Sequence, residues 1–244
     1  DLKTLADVVL SGISKFPDFW RETEYVALVN PGEYTFYDGL IKSSDIQKPV
    51  PVEQFESVAN EYQIPYSTAK WTKWHRESYA VGSLARFNLS QDELQPLAKE
   101  TADKLGLQGT CCNPYMNNAA QIVEALQVVE HGIVIIDDLL DSGLKEEIPP
   151  KPRPRAGTGV GCVEAPRGIL FHKYSFDEQG YCQECNICIP TNQNHANIQK
   201  DLEALVPQIL DQEEKDIKLL LEMLVRSYDP CISCSTHYLN VEFV

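Results

Sequence analysis

The sequence predicts a mainly α protein with a few short β-hairpins, an α+β fold organised as a single domain over residues 1–244. Three observations carry that expectation. Apolar residues recur with helical periodicity through 1–12, 117–140 and 197–227. The strand-like runs are short and bounded by Gly, Pro or Asn. Hydrophobic residues make up 43% of the chain and charged residues 23%, the balance of a sequence that buries a core.

Leu2, Leu5, Ala6, Val9 and Leu10 place a helix over 1–12. Residues 25–30 and 34–37 flank Pro31-Gly32 and read as a hairpin, because these two residue types punctuate backbone. Residues 51–62 read as a helix with Pro51 at its start, whereas no period assigns the stretch holding Trp71, Trp74 and His75. A charged amphipathic helix is expected over 91–105, with Ser90 as its N-cap. Ile122, Ala125, Leu126, Val129, Ile133 and Ile136 mark the long helix of 117–140. The stretch 146–156 carries Pro149, Pro150, Pro152 and Pro154, which excludes a helix and predicts an extended connector. Gly157, Gly159 and Gly161 follow, then strands at 169–174 and 184–189, and the last long helix is expected to break at Pro207. There is no internal repeat.

Acidic residues number 36 against 21 basic ones, a formal charge of -15. That field repels phosphate backbones and anionic lipid, so nucleic-acid and membrane-surface roles are not expected. The most apolar stretch, 132–140, is interrupted by Asp137 and Asp138, and no bilayer span is expected. The chain opens at Asp1 with no signal-type segment, as expected of a processed chain or a piece of a longer one. Eight cysteines in a chain of this size, several spaced Cys-x-x-Cys, point to reduced thiols in a cytoplasmic protein, used for metal or redox chemistry.

The sharpest feature is Asp229-Pro230-Cys231-Ile232-Ser233-Cys234-Ser235-Thr236-His237. Asp229 as N-cap and Pro230 at the first helical position predict a helix start, with Cys231 and Cys234 on one side of its first turn. A helix N-terminus favours thiolate, the form that binds a soft metal. Spacing alone ranks a metal site first, zinc being the commonest kind, with a redox dithiol as the alternative.

This terminal motif resembles the carboxy-terminal signature of the nickel–iron hydrogenase large subunit. Glu164-Ala165-Pro166-Arg167-Gly168, followed by His172, resembles the segment covering the iron in that family. Ile187-Cys188-Ile189-Pro190-Thr191 and Asn194 match the strand and turn after it, and Tyr79-Ala80-Val81-Gly82-Ser83-Leu84-Ala85-Arg86 is similar to a mid-chain motif of the cytoplasmic, NAD(P)-coupled branch. The fold implied is the carboxy-terminal part of the large subunit.

The resemblance implies a nickel–iron centre with carbon monoxide and cyanide on iron, at which dihydrogen is split heterolytically. By position, Cys231 is a terminal nickel ligand that takes the proton and Cys234 a bridging ligand. Arg167 holds its guanidinium over the open position, Asp229 orients it, and Pro166 shapes the diatomic-ligand pocket. His237 and the backbone carbonyl of Ile187 are implied as ligands to magnesium or iron. An iron–sulfur small subunit, NAD(P)-reducing subunits and a maturation protease are the implied partners. His172 is expected to be a hydrogen-bonded structural histidine. Cys182, Cys185, Cys188 and the pair Cys111-Cys112 are expected to pack as small hydrophobes, with a zinc site at the triplet as the lesser alternative. Cys162 receives no role.

Two departures from the family matter. Its Arg-x-Cys-Gly-x-Cys motif, which supplies the other two nickel thiolates, does not occur in this sequence. The chain alone is therefore expected to hold no complete centre and to be catalytically silent. Residues 238–244 follow His237 where the family's mature subunit ends, and are expected to be a maturation peptide. A metal-free scaffold subunit of a redox complex, and a zinc module pairing Cys182 and Cys185 with Cys231 and Cys234, are the competing readings.

Overall fold

The computed structural model describes residues 1–151, 153–231 and 234. Helix α1 (Leu2–Gly12) leads to β1 (Glu24–Val29), the centre of a three-stranded sheet. It pairs antiparallel with β2 (Leu40–Ser43) and parallel with β5 (Tyr79–Ala80). Five of its six residues are buried, as a central strand of Tyr, Val, Ala and Leu requires. The predicted hairpin forms with a different second strand. Residues 34–37 remain irregular because Tyr34 is buried beside Glu124 and the Phe36 carbonyl accepts the Glu164 amide, so pairing begins only at Leu40.

The helix expected over 51–62 is reduced to a 3-10 turn and α2 (Phe55–Val58), after which β3 (Asn60–Tyr62) pairs with β4 (Trp71–Lys73). Long-range packing decides this: Tyr62 meets the edge of Trp71 across the pair, and Phe55 stacks on Phe171 with centroids 5.0 Å apart. The stretch around His75 is organised by buried Glu24. Its carboxylate accepts the Ser43 hydroxyl at 2.6 Å and the amides of His75 and Arg76 at 3.2 and 3.0 Å.

Helix α3 (Ser83–Ser90) ends where the helix over 91–105 was expected to begin. That expectation is corrected to a 3-10 turn over Gln91–Glu93 and the shorter α4 (Pro96–Lys104), which starts at the proline, whose missing N–H costs nothing in a first turn. Ser90 makes no capping bond. The first amides of α4 are capped from outside the helix, where the Glu130 carboxylate accepts Leu97 and Ala98 at 3.0 and 2.8 Å.

Glu130 belongs to α5 (Asn117–Ser142), whose first half buries Ala119, Ala120, Val123 and Leu126 in the main core with α1, α3 and α4. Its second half exposes Ile133, Val134, Ile136, Leu139 and Leu140. Asp137 and Asp138 do not interrupt the helix. Residues Pro114–Ser142 are thus long and apolar enough to cross a membrane by length and composition, contrary to the sequence expectation, although the first half is core.

Described residues 144–151 and 153–156 carry no helix or strand. Strands β6 (Gly157–Ala165), β7 (Gly168–Phe176) and β8 (Cys182–Cys188) then form an antiparallel meander. The glycines 157, 159 and 161 lie within β6, a strand the sequence did not assign. Val160, Cys162, Ile169, Phe171 and Cys188 pack with Val26, Leu28 and Phe55 in a second core. Helix α6 (Pro190–Ile209) starts seven residues earlier than expected and continues through Pro207; the break falls at 210–213, before α7 (Glu214–Ser227).

Candidate metal centre

Four pieces of chain converge: the β6–β7 turn, the start of α3, the first turns of α6, and the segment after α7. The turn Ala165–Gly168 approaches the start of α3 through two glycines. Gly82 has φ +114° and Gly168 φ +134°, conformations that side-chain-bearing residues rarely adopt. A Cβ on Gly168 would lie 2.3 Å from Val81 Cγ2, and one on Gly82 would lie 3.1 Å from the Arg167 carbonyl oxygen. Asn194 of α6 pins this approach, accepting the Val81 amide at 2.9 Å and donating to its carbonyl at 3.2 Å.

Arg167 projects from this turn onto Asp229. Its Nε donates to the Asp229 backbone carbonyl and lies 3.2 Å from Oδ2, while Nη2 lies 3.3 Å from Oδ1. Both side chains are more than a third exposed, and Asp229 also lines a cleft of about 710 Å³ with Phe36, Arg86, Glu124, Val128, Val129 and Pro166.

Asp229 is not the predicted N-cap. Its φ of +48° lies outside the extended range an N-cap needs, and its carboxylate is engaged with Arg167. The turn begins two residues later: Cys234 has helical backbone and its amide donates to the Cys231 carbonyl at 3.2 Å. The two sulfurs are 2.6 Å apart, so the expected convergence of the pair survives the shifted start. Other elements fix the approach to this turn. Asn117 donates to the Ser227 carbonyl at 2.6 Å, Asn197 to the Tyr228 hydroxyl at 2.7 Å, and the Cys231 amide to Thr191 Oγ1 at 3.2 Å. The Tyr228 hydroxyl in turn donates to Asp201, whose carboxyl burial pushes up while Arg21 opposes the shift.

Pro166 lines the cleft, and its carbonyl accepts Arg86 Nη2 at 3.1 Å. Ile187 stands on β8 opposite His172, 40% exposed. Its expected companion His237 and the tail 238–244 lie outside the described residues. His172 bonds through Nδ1 to the Tyr174 hydroxyl at 2.9 Å, a structural contact of the expected kind.

The cysteines of β8 divide. Cys188 is buried and packs, as do Cys112 and half-buried Cys111. Cys182 and Cys185 are exposed, contrary to the expectation that they pack. A bulge between Ser175 and Phe176 pairings brings both onto one side, near Tyr174. Among the described residues no three His, Cys, Asp or Glu side chains converge as a metal site. Burial pushes the Cys162 thiol up to about 12, with Glu164 adding to the shift, and also raises Cys188. Iodoacetamide at pH 8, followed by peptide mass mapping, should therefore modify Cys182 and Cys185 at least about tenfold faster than Cys162 or Cys188. Equal rates would contradict this burial pattern.

Residues 27–237 match the family model of the nickel-dependent hydrogenases. The chain belongs to that family.

Among curated hydrogenases it is 35% identical to the sulfhydrogenase 1 alpha subunit of Pyrococcus furiosus, over 85% of this chain and 48% of that protein. It is 32% identical to the beta subunit of the NAD-reducing hydrogenase HoxS of Cupriavidus necator, over 67% of this chain and 35% of that protein. The chain spans about half the length, or less, of these relatives. The crystal structure of an NAD+-reducing [NiFe]-hydrogenase in its H2-reduced state superposes with a TM-score of 0.77 at 22% identity, covering 97% of this chain and 56% of the other. At that identity the likeness establishes the fold, which is that of nickel–iron hydrogenase large subunits.

The structure brings Arg167 to Asp229 and Cys231 to Cys234, as expected. The sequence named Thr191 and Asn194 only as part of a motif and did not single out Asn117; their supporting bonds reach partners 33 to 113 residues away.

Proposed function

We propose that this chain is the carboxy-terminal half of a nickel–iron hydrogenase catalytic subunit, acting in reversible H2 oxidation with electrons passed to a soluble carrier. The observation that carries the reading is the meeting of Arg167 with Asp229, 62 residues away in sequence and two residues before Cys231, whose sulfur converges with that of Cys234. Thiolates suit nickel, and two of them are half of a four-sulfur set, so the residues fit one side of the centre. When bound, the group would supply heterolytic cleavage of H2 at nickel and at an iron bearing carbon monoxide and cyanide.

The chain's own residues hold, orient and exclude. Cys231 and Cys234 would hold nickel, with Cys231 Sγ as the proton acceptor. Asp229 fixes the Arg167 guanidinium through backbone carbonyl and carboxylate together, so that a cation stands ready without reorganisation as charge develops. Pro166, which lines the cleft with Asp229, would shape the pocket of the diatomic ligands. His237, with the Ile187 carbonyl, would hold magnesium or iron, and residues 238–244 would be removed by a maturation protease.

A second polypeptide segment is required by the same reading. The exposed apolar residues on the second half of α5 and the cleft beside Asp229 form the surface against which an amino-terminal half, carrying the family's other cysteine pair, would pack. An iron–sulfur small subunit and NAD(P)-reducing subunits in the cytoplasm would complete the electron path. Co-production with a polypeptide carrying an Arg-x-Cys-Gly-x-Cys segment tests this. Assembly, nickel uptake and H2-dependent dye reduction are expected from the complex and from neither part alone; a complex that assembles without nickel would contradict the proposal.

A further inference from the structure

Arg86 is 1% exposed and lies on α3, yet none of its contacts reaches a reacting group. Its five N–H donors are all spent. Nε donates to Glu124 Oε1, Nη2 to Glu124 Oε2 at 2.7 Å, and Nη1 to Glu164 Oε2 at 2.7 Å. Nη1 also donates to the Ala165 carbonyl at 3.0 Å, and Nη2 to the Pro166 carbonyl at 3.1 Å and the Ser83 hydroxyl at 3.2 Å. These are the two carbonyls immediately before Arg167.

Two carboxylates suffice to balance a buried guanidinium. The carbonyl bonds are additional, and they determine where the Pro166–Arg167 peptide plane sits. Glu164 extends the same brace by accepting the Leu28 amide of β1 at 2.8 Å, and Glu124 does so by accepting the Tyr34 and Ser83 hydroxyls at 2.8 and 2.6 Å. We infer that Arg86 is a positioning residue: its planar fork sets the Ala165–Pro166 backbone and so the point from which Arg167 reaches Asp229. The catalytic consequence rests on the proposed function, whereas the positioning itself is a property of this chain.

A lysine preserves the charge but presents its three donors from one point, so it cannot span both carboxylates and both carbonyls. In the full chain without metal, Arg86→Lys is expected to raise the rate of Arg167 modification by phenylglyoxal about tenfold, the loss of one well-made hydrogen bond. Amide exchange at 165–168 should quicken with it, while modification of Arg226 and exchange of the α7 amides remain at wild-type rates. An unchanged Arg167 rate in folded Arg86→Lys would overturn the inference, because charge balance alone would then be the role. So would an equal rise at Arg226, which would signify general loosening. Should Arg86→Lys lack a cooperative unfolding transition, the wild-type chain in rising sub-denaturing urea provides the decision. There Arg167 should gain phenylglyoxal reactivity only together with Arg86, and about a tenfold rise at Arg167 while Arg86 stays protected would sink the inference. None of these readouts depends on hydrogenase activity, so failure of the functional reading would leave them unaffected.

Discussion

Gly168→Ala is expected to destabilise the chain by about 2–5 kcal/mol, combining strain at a backbone angle reserved for glycine with overpacking. The added methyl would sit 2.3 Å from Val81 Cγ2, 2.7 Å from Val81 Cβ and 3.0 Å from the Gly82 amide nitrogen. Val81 is buried and its backbone is bonded on both sides to Asn194, so it cannot step aside. For a chain of this size the loss corresponds to a fall in Tm of about 6–15 °C. Gly159→Ala is the control, because a Cβ there meets nothing within 4 Å and φ is not in the positive range. A Tm for Gly168→Ala within a degree of the control would contradict the packing described for the turn. The same substitution should loosen Arg167 from Asp229, linking a backbone requirement to the chemistry at the cleft.

Arg167→Lys is expected to lower H2-dependent dye reduction by the assembled complex about 10²–10³-fold, the scale of losing one fixed charge-stabilising donor. Nickel content should be unchanged. The guanidinium engages the Asp229 carbonyl through Nε and its carboxylate through both Nε and Nη2, an arrangement no single ammonium reproduces. Asp229→Asn should have a smaller effect. It keeps the backbone carbonyl that receives Nε, and asparagine tolerates the positive φ found here. Wild-type turnover by Arg167→Lys would remove this residue from the proposed chemistry.

The parts legible in the sequence were those encoded locally. Helices α1 and α5 follow from unbroken apolar periodicity, and the pairing of Cys231 with Cys234 follows from their spacing. That Arg167 would meet Asp229 came from the family resemblance; periodicity and spacing alone do not specify it. Elements whose ends are fixed from elsewhere escaped the reading. The start of α4 is capped by Glu130 of α5, the loop after β4 is gathered by Glu24 of β1, and β6 is a strand despite its glycines because β7 supplies its ladder. Asp229 illustrates the same limit. Its residue type suits an N-cap, yet a tertiary ion pair claims the carboxylate and the backbone turns left-handed. Arg86 entered the sequence reading only as the last residue of the mid-chain motif, because its partners lie 38 and 78 residues away.

Nickel content of the assembled complex tests the central claim most directly, measured for the wild type beside Cys231→Ser and Cys234→Ser. If these two sulfurs form one side of the centre, the wild-type complex holds about one nickel per chain and each serine variant less than about a tenth of that, because serine offers no soft donor. Wild-type nickel in both variants would contradict the account.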